Sequence, residues 1–410
     1  MSAVLGLRGT DDWGTDERPK NFREMILWRS PNGSAPLTAL TARMRKQSTD
    51  DPEFAWWEEE LKPIRLLMTG TAATTSQTAI TIQSGGGDAQ DLVAGDILLV
   101  EKTEDTSYSN ELIQVASVTS ATAFVATRGA ANTTPGTIAA SSYLTRIGNA
   151  FEEGSAAADA TTQNPTKYLN YAQIFKKTYS ITRSAQNTRA RTGDPLKNDK
   201  KRKMFHLSAD MEFAFLFGKK YEDTSGTHPK RYTGGLMYFL AQAYAAGYTN
   251  CMTIWTTTPT EDDLLDAVYK CWDYEVEGAG QERLVLAGNG FLNSLNKLAR
   301  TSSSSRVNFD GVVKLYGMNL QRWILPQGVL YVKTHPLMNV HGRFTNSAFV
   351  VNPSGIIYRP LSGSDVKPDE NGGRGIQTPG VDGFSGQWIG EVGLEFHHLV
   401  SMAYLGNFVV

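Results

Sequence analysis

DPLKNDKKRKMFHLSADMEFAFLFGKK, residues 194–220, is the stretch whose reading decides the fold. Asp194 can accept hydrogen bonds from the first free N–H groups of a helix. Pro195 takes the first helical position, where a missing N–H is no loss and a fixed φ is already helical. No other Pro or Gly interrupts the run until Gly218, which stops it. At ~1.5 Å per residue this predicts a rod of roughly 35 Å, long for an ordinary domain.

The two halves of that helix differ. Lys197, Lys200, Lys201, Arg202 and Lys203 crowd its start, while Met204, Leu207, Met211, Phe215 and Gly218 recur at three- and four-residue steps. Such a stripe needs a core to lie on, and Phe205, Phe213, Leu216 and Phe217 widen it toward the end. The basic run reads either as a solvated face or as a surface near nucleic acid or an acidic neighbour.

On the N-terminal side, Tyr171, Gln173, Phe175, Lys177, Tyr179 and Ile181 alternate with Ala172, Ile174, Lys176, Thr178 and Ser180, which predicts one long strand over 168–182. Between 69 and 147 the composition shifts to Thr, Ser, Ala and Gly, with strands expected at 79–83, 96–101, 111–118, 121–128 and 142–147. This spacing predicts a small barrel or sandwich. Gly85-Gly86-Gly87 is an ordinary turn, since no Gly-Lys-Ser/Thr follows and no helix opens behind it. Extended segments at 52–68 and 168–182 bracket the barrel, so a long two-stranded arm with the barrel inserted in it is expected. From 148 to 165 the chain is polar and extended.

Residues 1–36 read as an arm with one apolar cluster, Phe22, Met25, Ile26, Leu27 and Trp28. Leu37, Leu40 and Met44 fall on one side of a short helix that Ser34 or Pro36 could start and Lys46 ends. Phe54, Trp56 and Trp57 precede an acidic run from Glu58 to Glu60. The aromatic pair is either packing or a stacking platform for sugars or bases.

On the C-terminal side, Gly234-Gly235 leads into an apolar stretch, and Thr260 with Asp263 makes a capping-box start for a helix carrying Leu264, Leu265, Val268, Cys271 and Trp272 inward. A buried strand at 284–287, a helix at 289–300, and a loop at 302–305 follow. Strands are expected at 320–325, 329–334 and 349–358, with 388–396 and 402–408 as a closing pair. The fold class is α+β, with helices and sheets segregated rather than alternating.

With 410 residues, 40% hydrophobic and 20% charged, the chain is globular, with room for two or three cores. A formal net charge of −2 excludes a globally basic nucleic-acid binder, so any such contact is local. Two cysteines, Cys251 and Cys271, make neither a disulfide framework nor a zinc set; two buried thiols in a reducing cytoplasm are expected. Residues 1–10 are too short an apolar run for a signal peptide, and no segment approaches the ~20 apolar residues of a membrane span.

The sequence carries no recognisable catalytic, cofactor or metal constellation. His206, His228, His335, His341, His397 and His398 lack His-Glu-x-x-His spacing, and His397-His398 on a strand would face opposite ways. Asp262-Asp263 fits a helix N-terminus, and Glu152-Glu153 is a second adjacent pair. Asp365, Asp369, Glu370 and Asn371 lack EF-hand spacing. No nucleophile elbow or dinucleotide fingerprint is present.

The order of local phrases resembles the major capsid proteins of tailed bacteriophages, the Hong Kong 97-like fold with an inserted β-barrel. The phrases are Pro36-Leu37-Thr38-Ala39-Leu40, Asp51-Pro52-Glu53-Phe54-Ala55-Trp56, Ile147-Gly148-Asn149-Ala150-Phe151-Glu152-Glu153-Gly154 and Asn170-Tyr171-Ala172-Gln173-Ile174-Phe175. They continue with Thr233-Gly234-Gly235-Leu236, His335-Pro336-Leu337-Met338 and Gly393-Leu394-Glu395.

That resemblance implies an N-terminal arm (1–51), an extended two-stranded loop (52–69 and 148–185), an inserted barrel (70–147), a peripheral domain with the long helix as spine (186–230 and 346–410), and an axial domain (231–345). The C-terminal strands would return to the peripheral sheet. It implies a non-enzymatic subunit that assembles with itself into hexamers and pentamers of an icosahedral shell around viral double-stranded DNA. Neighbouring capsid or decoration proteins and a portal would be its other partners, with no membrane and no cofactor. The protein would reside in the virion after assembly in the host cytoplasm. No long scaffolding segment precedes the arm, which points to a separate scaffolding protein or none. Some relatives cross-link subunits through a Lys–Asn bond, a feature carried over to no residue of this chain. Lys197, Lys200, Lys201, Arg202 and Lys203 are the candidates for a DNA-facing inner surface, with weak, non-specific contact. Trp28, Trp56, Trp57, Tyr171 and Phe175 are the candidates for packing between subunits. Two alternatives remain: the shell of a cellular nanocompartment, and a glycan-binding or glycan-cleaving protein with Trp56-Trp57 as platform and Glu58 to Glu60 as acids.

Overall fold

Asp194 caps the long helix as its position dictates: its Oδ1 accepts from the N–H groups of Leu196 at 3.0 Å and Lys197 at 3.3 Å. The helix runs Pro195–Phe217 and ends at Gly218. The computed structural model describes residues 45–410 other than 60–63, 106–108, 163, 189–191, 274–279, 302–308 and 316–317, with backbone alone at 299–301, 309–315, 318–320 and 372. The arm cluster with Trp28, most of the short helix expected to end at Lys46 and the loop at 302–305 lie outside the described residues.

The apolar stripe begins later than expected. Met204 is 36% and Phe205 37% exposed, whereas Leu207, Met211, Phe215 and Leu216 are buried. The inward seam is Leu196, Lys200, Lys203, Leu207, Met211 and Phe215, so two lysines hold positions that hydropathy alone would not assign to it. Their aliphatic stems cover apolar surface while the heads reach water or a partner.

The chain forms two units, Trp57–Tyr168 and the remainder of the described chain. Strand β1 (Glu53–Glu58) pairs with β8 (Thr166–Tyr171) where the chain passes between them. Within the first unit, β2 (Arg65–Leu67), β3 (Ala79–Thr81), β4 (Asp96–Val100), β5 (Leu112–Ser120), β6 (Ala123–Ala130) and β7 (Tyr143–Asn149) form one antiparallel sheet in the order β2-β7-β4-β5-β6-β3. Its two ends meet: Thr69 N–H donates to Thr81 O at 3.1 Å and Gln83 N–H to Leu67 O at 2.8 Å. Leu66, Ile80, Leu98, Ile113, Phe124, Ile138 and Leu144 fill the interior. Each such side chain contributes about 1.5–3 kcal/mol by leaving water. Arg128 and Glu111 are buried there as a two-pronged pair at 2.6 and 2.9 Å.

In the second unit, β9 (Gln173–Thr182) follows β8 after a break at Ala172, whose N–H donates to Pro52 O at 2.7 Å. The single strand expected over 168–182 is therefore two, with different partners. Only its first part pairs with the 52–68 side; the rest joins a C-terminal sheet. A short hairpin, β10 (Tyr221–Asp223) and β11 (Lys230–Tyr232), follows the long helix.

The remaining strands are β12 (Met252–Ile254), β13 (Glu282–Ala287), β14 (Phe309–Leu315), β15 (Met318–Ile324), β16 (Val329–Thr334), β17 (Ala348–Val351), β18 (Ile356–Pro360), β19 (Lys367–Asp369), β20 (Gly383–Phe396) and β21 (Ala403–Gly406). A seven-stranded mixed sheet has the order β12-β21-β17-β13-β16-β15-β14. A four-stranded sheet gathers β18, β19 and β9 around β20. Two further expectations are corrected here. The strand at 349–358 is broken by a single turn at Pro353–Gly355, which sends β17 and β18 into different sheets. Proline cannot extend a ladder, and Asn352 Oδ1 accepts from Ser354 N to fix the turn. The last two strands, β20 and β21, do not pair: β21 lies between β12 and β17. The chain start also differs, because residues 45–49 run extended and parallel to β18 rather than closing a helix.

The helices at Glu261–Val268 and Asn289–Thr301 accompany the larger sheet, whose core holds Leu264, Val268, Cys271, Val285, Phe291, Leu295, Trp323 and Phe408. Thr260 and Asp263 form the capping box read from their spacing. The long helix spans both sheets. Phe175 of β9 meets Phe215 edge-on at 6.3 Å, and Phe217 meets Phe349 of β17 at a tilt, with ring centres 5.6 Å apart.

Candidate functional site

Three of the phrases that carried the resemblance converge on one buried side chain. Asn170, at the end of β8, donates from Nδ2 to Leu394 O at 2.7 Å and Gly234 O at 3.1 Å. Its Oδ1 accepts from Gly234 N at 2.7 Å and Tyr171 N at 2.9 Å. All four bonding positions of the amide are used, so β8, the turn before the helix Leu236–Ala245 and β20 are fixed to each other. Close approach requires the glycines: a Cβ on Gly393 would lie 2.8 Å from Tyr171 O, and one on Gly235 2.7 Å from Ala214 O.

A second polar contact was not read from the sequence. Glu212 lies on the buried side of the long helix and meets His335 Nε2 at 2.7 Å, both side chains fully buried. The signal was present as the one acid among the apolar residues 211–217, but its partner is 123 positions away.

The basic start of the helix is not one uniform patch. Lys197, Lys201 and Arg202 are exposed, and Lys203 is half-buried. Lys200 is half-buried, 2.7 Å from Glu370 Oε1 and 5.7 Å from the Trp388 ring centre. Arg202 pairs with Asp199 at 3.0 Å. Tyr179 also donates to Glu370, whose carboxyl is held below its ordinary value first by Lys200 and then by that hydroxyl. Asp365 is likewise engaged, by Lys46, Tyr358 and the Val366 N–H. These contacts engage the carboxylates of both Glu370 and Asp365.

The aromatic candidates separate. Trp56 is 5% exposed and packs inside its own chain against Phe54, Phe239 and His397. Phe175 is buried beside Phe215, and Tyr171 is half-buried, with its hydroxyl pushed up by burial and then by Glu53. Trp57 is 63% exposed, with Lys167 Nζ 6.0 Å from its ring. Adjacent strand residues face opposite ways, so Trp56 and Trp57 form no shared platform for a glycan. His397 and His398 also depart from expectation: β20 ends at Phe396, His397 bonds Glu395, and His398 has φ 53°. Burial pushes both cysteine thiols up to about 12. No group of metal-binding side chains occurs among the described residues.

The phrases that converge on Asn170 lie within a stretch matched by a family model. A family model described as SU10 major capsid protein matches residues 7–406. A major capsid protein of Pseudomonas phage PaMx41 is 26% identical over 388 residues, covering 94% of this chain and 89% of that protein. Among solved structures, a chain of Mycobacterium phage Bobi aligns over 95% of each chain with 10% identity and a TM-score of 0.43. The capsid of a native GTA particle aligns over 99% of this chain and 100% of its own, with 8% identity and a TM-score of 0.46. A holo encapsulin complex from Synechococcus elongatus aligns over 60% and 76%, with 12% identity and a TM-score of 0.41. Because the family pattern runs through almost its whole length, this chain belongs to the SU10 major capsid protein family and is a structural subunit of a phage shell.

Proposed function

We propose that the chain closes an icosahedral shell of hexamers and pentamers around packaged double-stranded DNA, with the basic start of the long helix turned toward the DNA. The observation that carries the inner-surface assignment is the exposure of Lys197, Lys201 and Arg202 within two turns of one helix. Two of the local cations are tempered by Glu370 and Asp199, so the surface meets phosphates without gripping them. In this reading residues 1–51 are the arm, 52–69 and 148–185 the extended loop, and 70–147 the inserted barrel. Residues 186–230 with 346–410 form the peripheral domain and 231–345 the axial one. The closed hydrogen bonding of β2 through β7 and the pairing of β1 with β8 support an insertion. Assembly takes place in the host cytoplasm, with a portal and neighbouring or decoration proteins as further partners. The test is a Lys197→Glu/Lys201→Glu/Arg202→Glu variant. Normal particles with reduced packaged DNA are expected; normal packaging contradicts the inner-surface assignment.

A further inference from the structure

Three Asn–Gly pairs occur in the chain, at 32–33, 289–290 and 371–372. Such a pair is labile in water. The glycine nitrogen can attack the asparagine's own side-chain carbonyl carbon, because no Cβ stands in its way and the glycine backbone rotates freely. A bond from that nitrogen to Cγ forms, the bond from Cγ to Nδ2 breaks, and ammonia leaves with the nitrogen's proton. Water then opens the cyclic imide at either carbonyl. One product is aspartate; the other is isoaspartate, in which the main chain runs through Cγ and is longer by a methylene.

The fold separates the pairs. The first lies outside the described residues. At the second, Asn289 opens the helix Asn289–Thr301 with its N–H on Asn339 Oδ1 at 2.7 Å. Gly290 is packed, since a Cβ there would lie 2.0 Å from Asn346 Oδ1 and 3.0 Å from Thr345 O. The imide needs the glycine nitrogen to swing onto the asparagine side chain, and helix and packing together prevent it. At the third, Asn371 lies in the turn that follows β19, exposed, with φ 46°. Asparagine accepts that left-handed conformation only at a cost, so little holds the turn in place. Its side-chain amide has no hydrogen-bond partner among the described residues.

We propose that Asn371–Gly372 is a spontaneous deamidation site of the folded chain, and that isoaspartate there unlatches the acidic loop from the long helix. Glu370 O accepts from Gly373 N at 3.0 Å and from Gly375 N at 2.8 Å, closing the turn around Asn371. The Glu370 carboxylate reaches Lys200 of the long helix at 2.7 Å and the Tyr179 hydroxyl. An added main-chain methylene falls inside the loop that those two backbone bonds close. The turn then keeps either its own bonds or the reach of Glu370 to Lys200, and not both. The site does not depend on how copies assemble.

The full-length chain, held at mildly alkaline pH, is digested and its peptides are weighed, with isoaspartate read by methyl transfer from a protein isoaspartate methyltransferase. Conversion at Asn371 and none at Asn289 is expected in the folded chain, and conversion at both in a chain unfolded by denaturant. Gly372→Ala, which sets a methyl beside the attacking nitrogen, removes the conversion at Asn371. A folded chain that leaves Asn371 intact, or converts Asn289 equally, overturns the site. Melting of the unassembled subunit tests the unlatching. The aged parent melts below the fresh one, whereas aged Gly372→Ala keeps the melting temperature of its own fresh sample. Fresh Asn371→Asp, which has the new charge on an ordinary main chain, melts with the fresh parent. Isoaspartate-rich parent that melts with the fresh chain, or an equal loss in aged Gly372→Ala, overturns the unlatching.

Discussion

Asn170 Nδ2 and Leu394 O are 2.7 Å apart although 224 positions separate them in the chain. The same amide holds Gly234 through both its N–H and its carbonyl. One side chain thus fixes the strand that leads away from the 57–168 unit, the turn before a helix, and the longest strand of the C-terminal sheet.

Asn170→Ala therefore leaves several buried backbone groups without partners at once. Its cost falls at or above the upper end of the ~1–3 kcal/mol expected for one orphaned group. Chemical denaturation of the unassembled subunit checks this; a loss below about 1 kcal/mol contradicts the accounting.

Glu212 and His335 are both fully buried and 2.7 Å apart, and His335 Nδ1 has no partner among the described residues. The arrangement that leaves no buried N–H unpaired puts the ring proton on Nε2, donating to the carboxylate. Removing the carboxylate strands the neutral imidazole N–H, so Glu212→Leu destabilises the subunit by about 1–3 kcal/mol. Glu212→Leu/His335→Phe recovers part of that loss, because the imidazole N–H is no longer stranded. Denaturation of the two variants side by side is the measurement, and equal stabilities contradict the pairing.

Gly218 ends the long helix where the backbone has no room. A Cβ there would meet Ala214 O at 2.4 Å and Thr233 O at 2.6 Å, backbone atoms that do not move cheaply. Gly218→Ala is expected to cost about 1–3 kcal/mol and lower the melting temperature. Gly247, with no atom within 4 Å of its would-be Cβ but φ 109°, gives the contrasting case. Gly247→Ala loses stability through backbone strain alone, without disturbing the helix.

The carboxyl of Glu370 lies below its ordinary 4.5, held there by Lys200 and then by Tyr179. A depressed folded-state value means that its stabilisation is fully present above the unfolded value and is lost as pH falls through the folded one. Glu370→Gln should accordingly be less stable than the parent at neutral pH, with the gap narrowing as pH falls below about 4.5. Melting curves across that range decide it; a gap that is constant from neutral pH to acid contradicts the linkage.

Local signals were legible because local physics sets them. Asp194, Pro195 and Gly218 bound the long helix, and Thr260 with Asp263 caps another, through contacts spanning three or four residues. The strands of the 57–168 unit were legible for the same reason, each being a β-rich run closed by a turn. Choice of strand partner was not legible. Ala172 and the turn at Pro353–Gly355 are single breaks in otherwise continuous patterns, yet each sends the next strand into another sheet. The inward positions of Lys200 and Lys203 were hidden by their charge, and the depth of Trp56 by its exposed neighbour Trp57. The roles of Asn170 and Glu212 were not legible, because their partners Leu394 and His335 lie more than a hundred residues away in the chain.

The central claim is that many copies of this chain build a closed shell, and electron microscopy of the purified full-length protein under assembly conditions tests it most directly. Closed particles of uniform diameter, with subunits grouped in sixes and fives, are predicted. A chain that stays monomeric across concentration, salt and added scaffolding or DNA would contradict it.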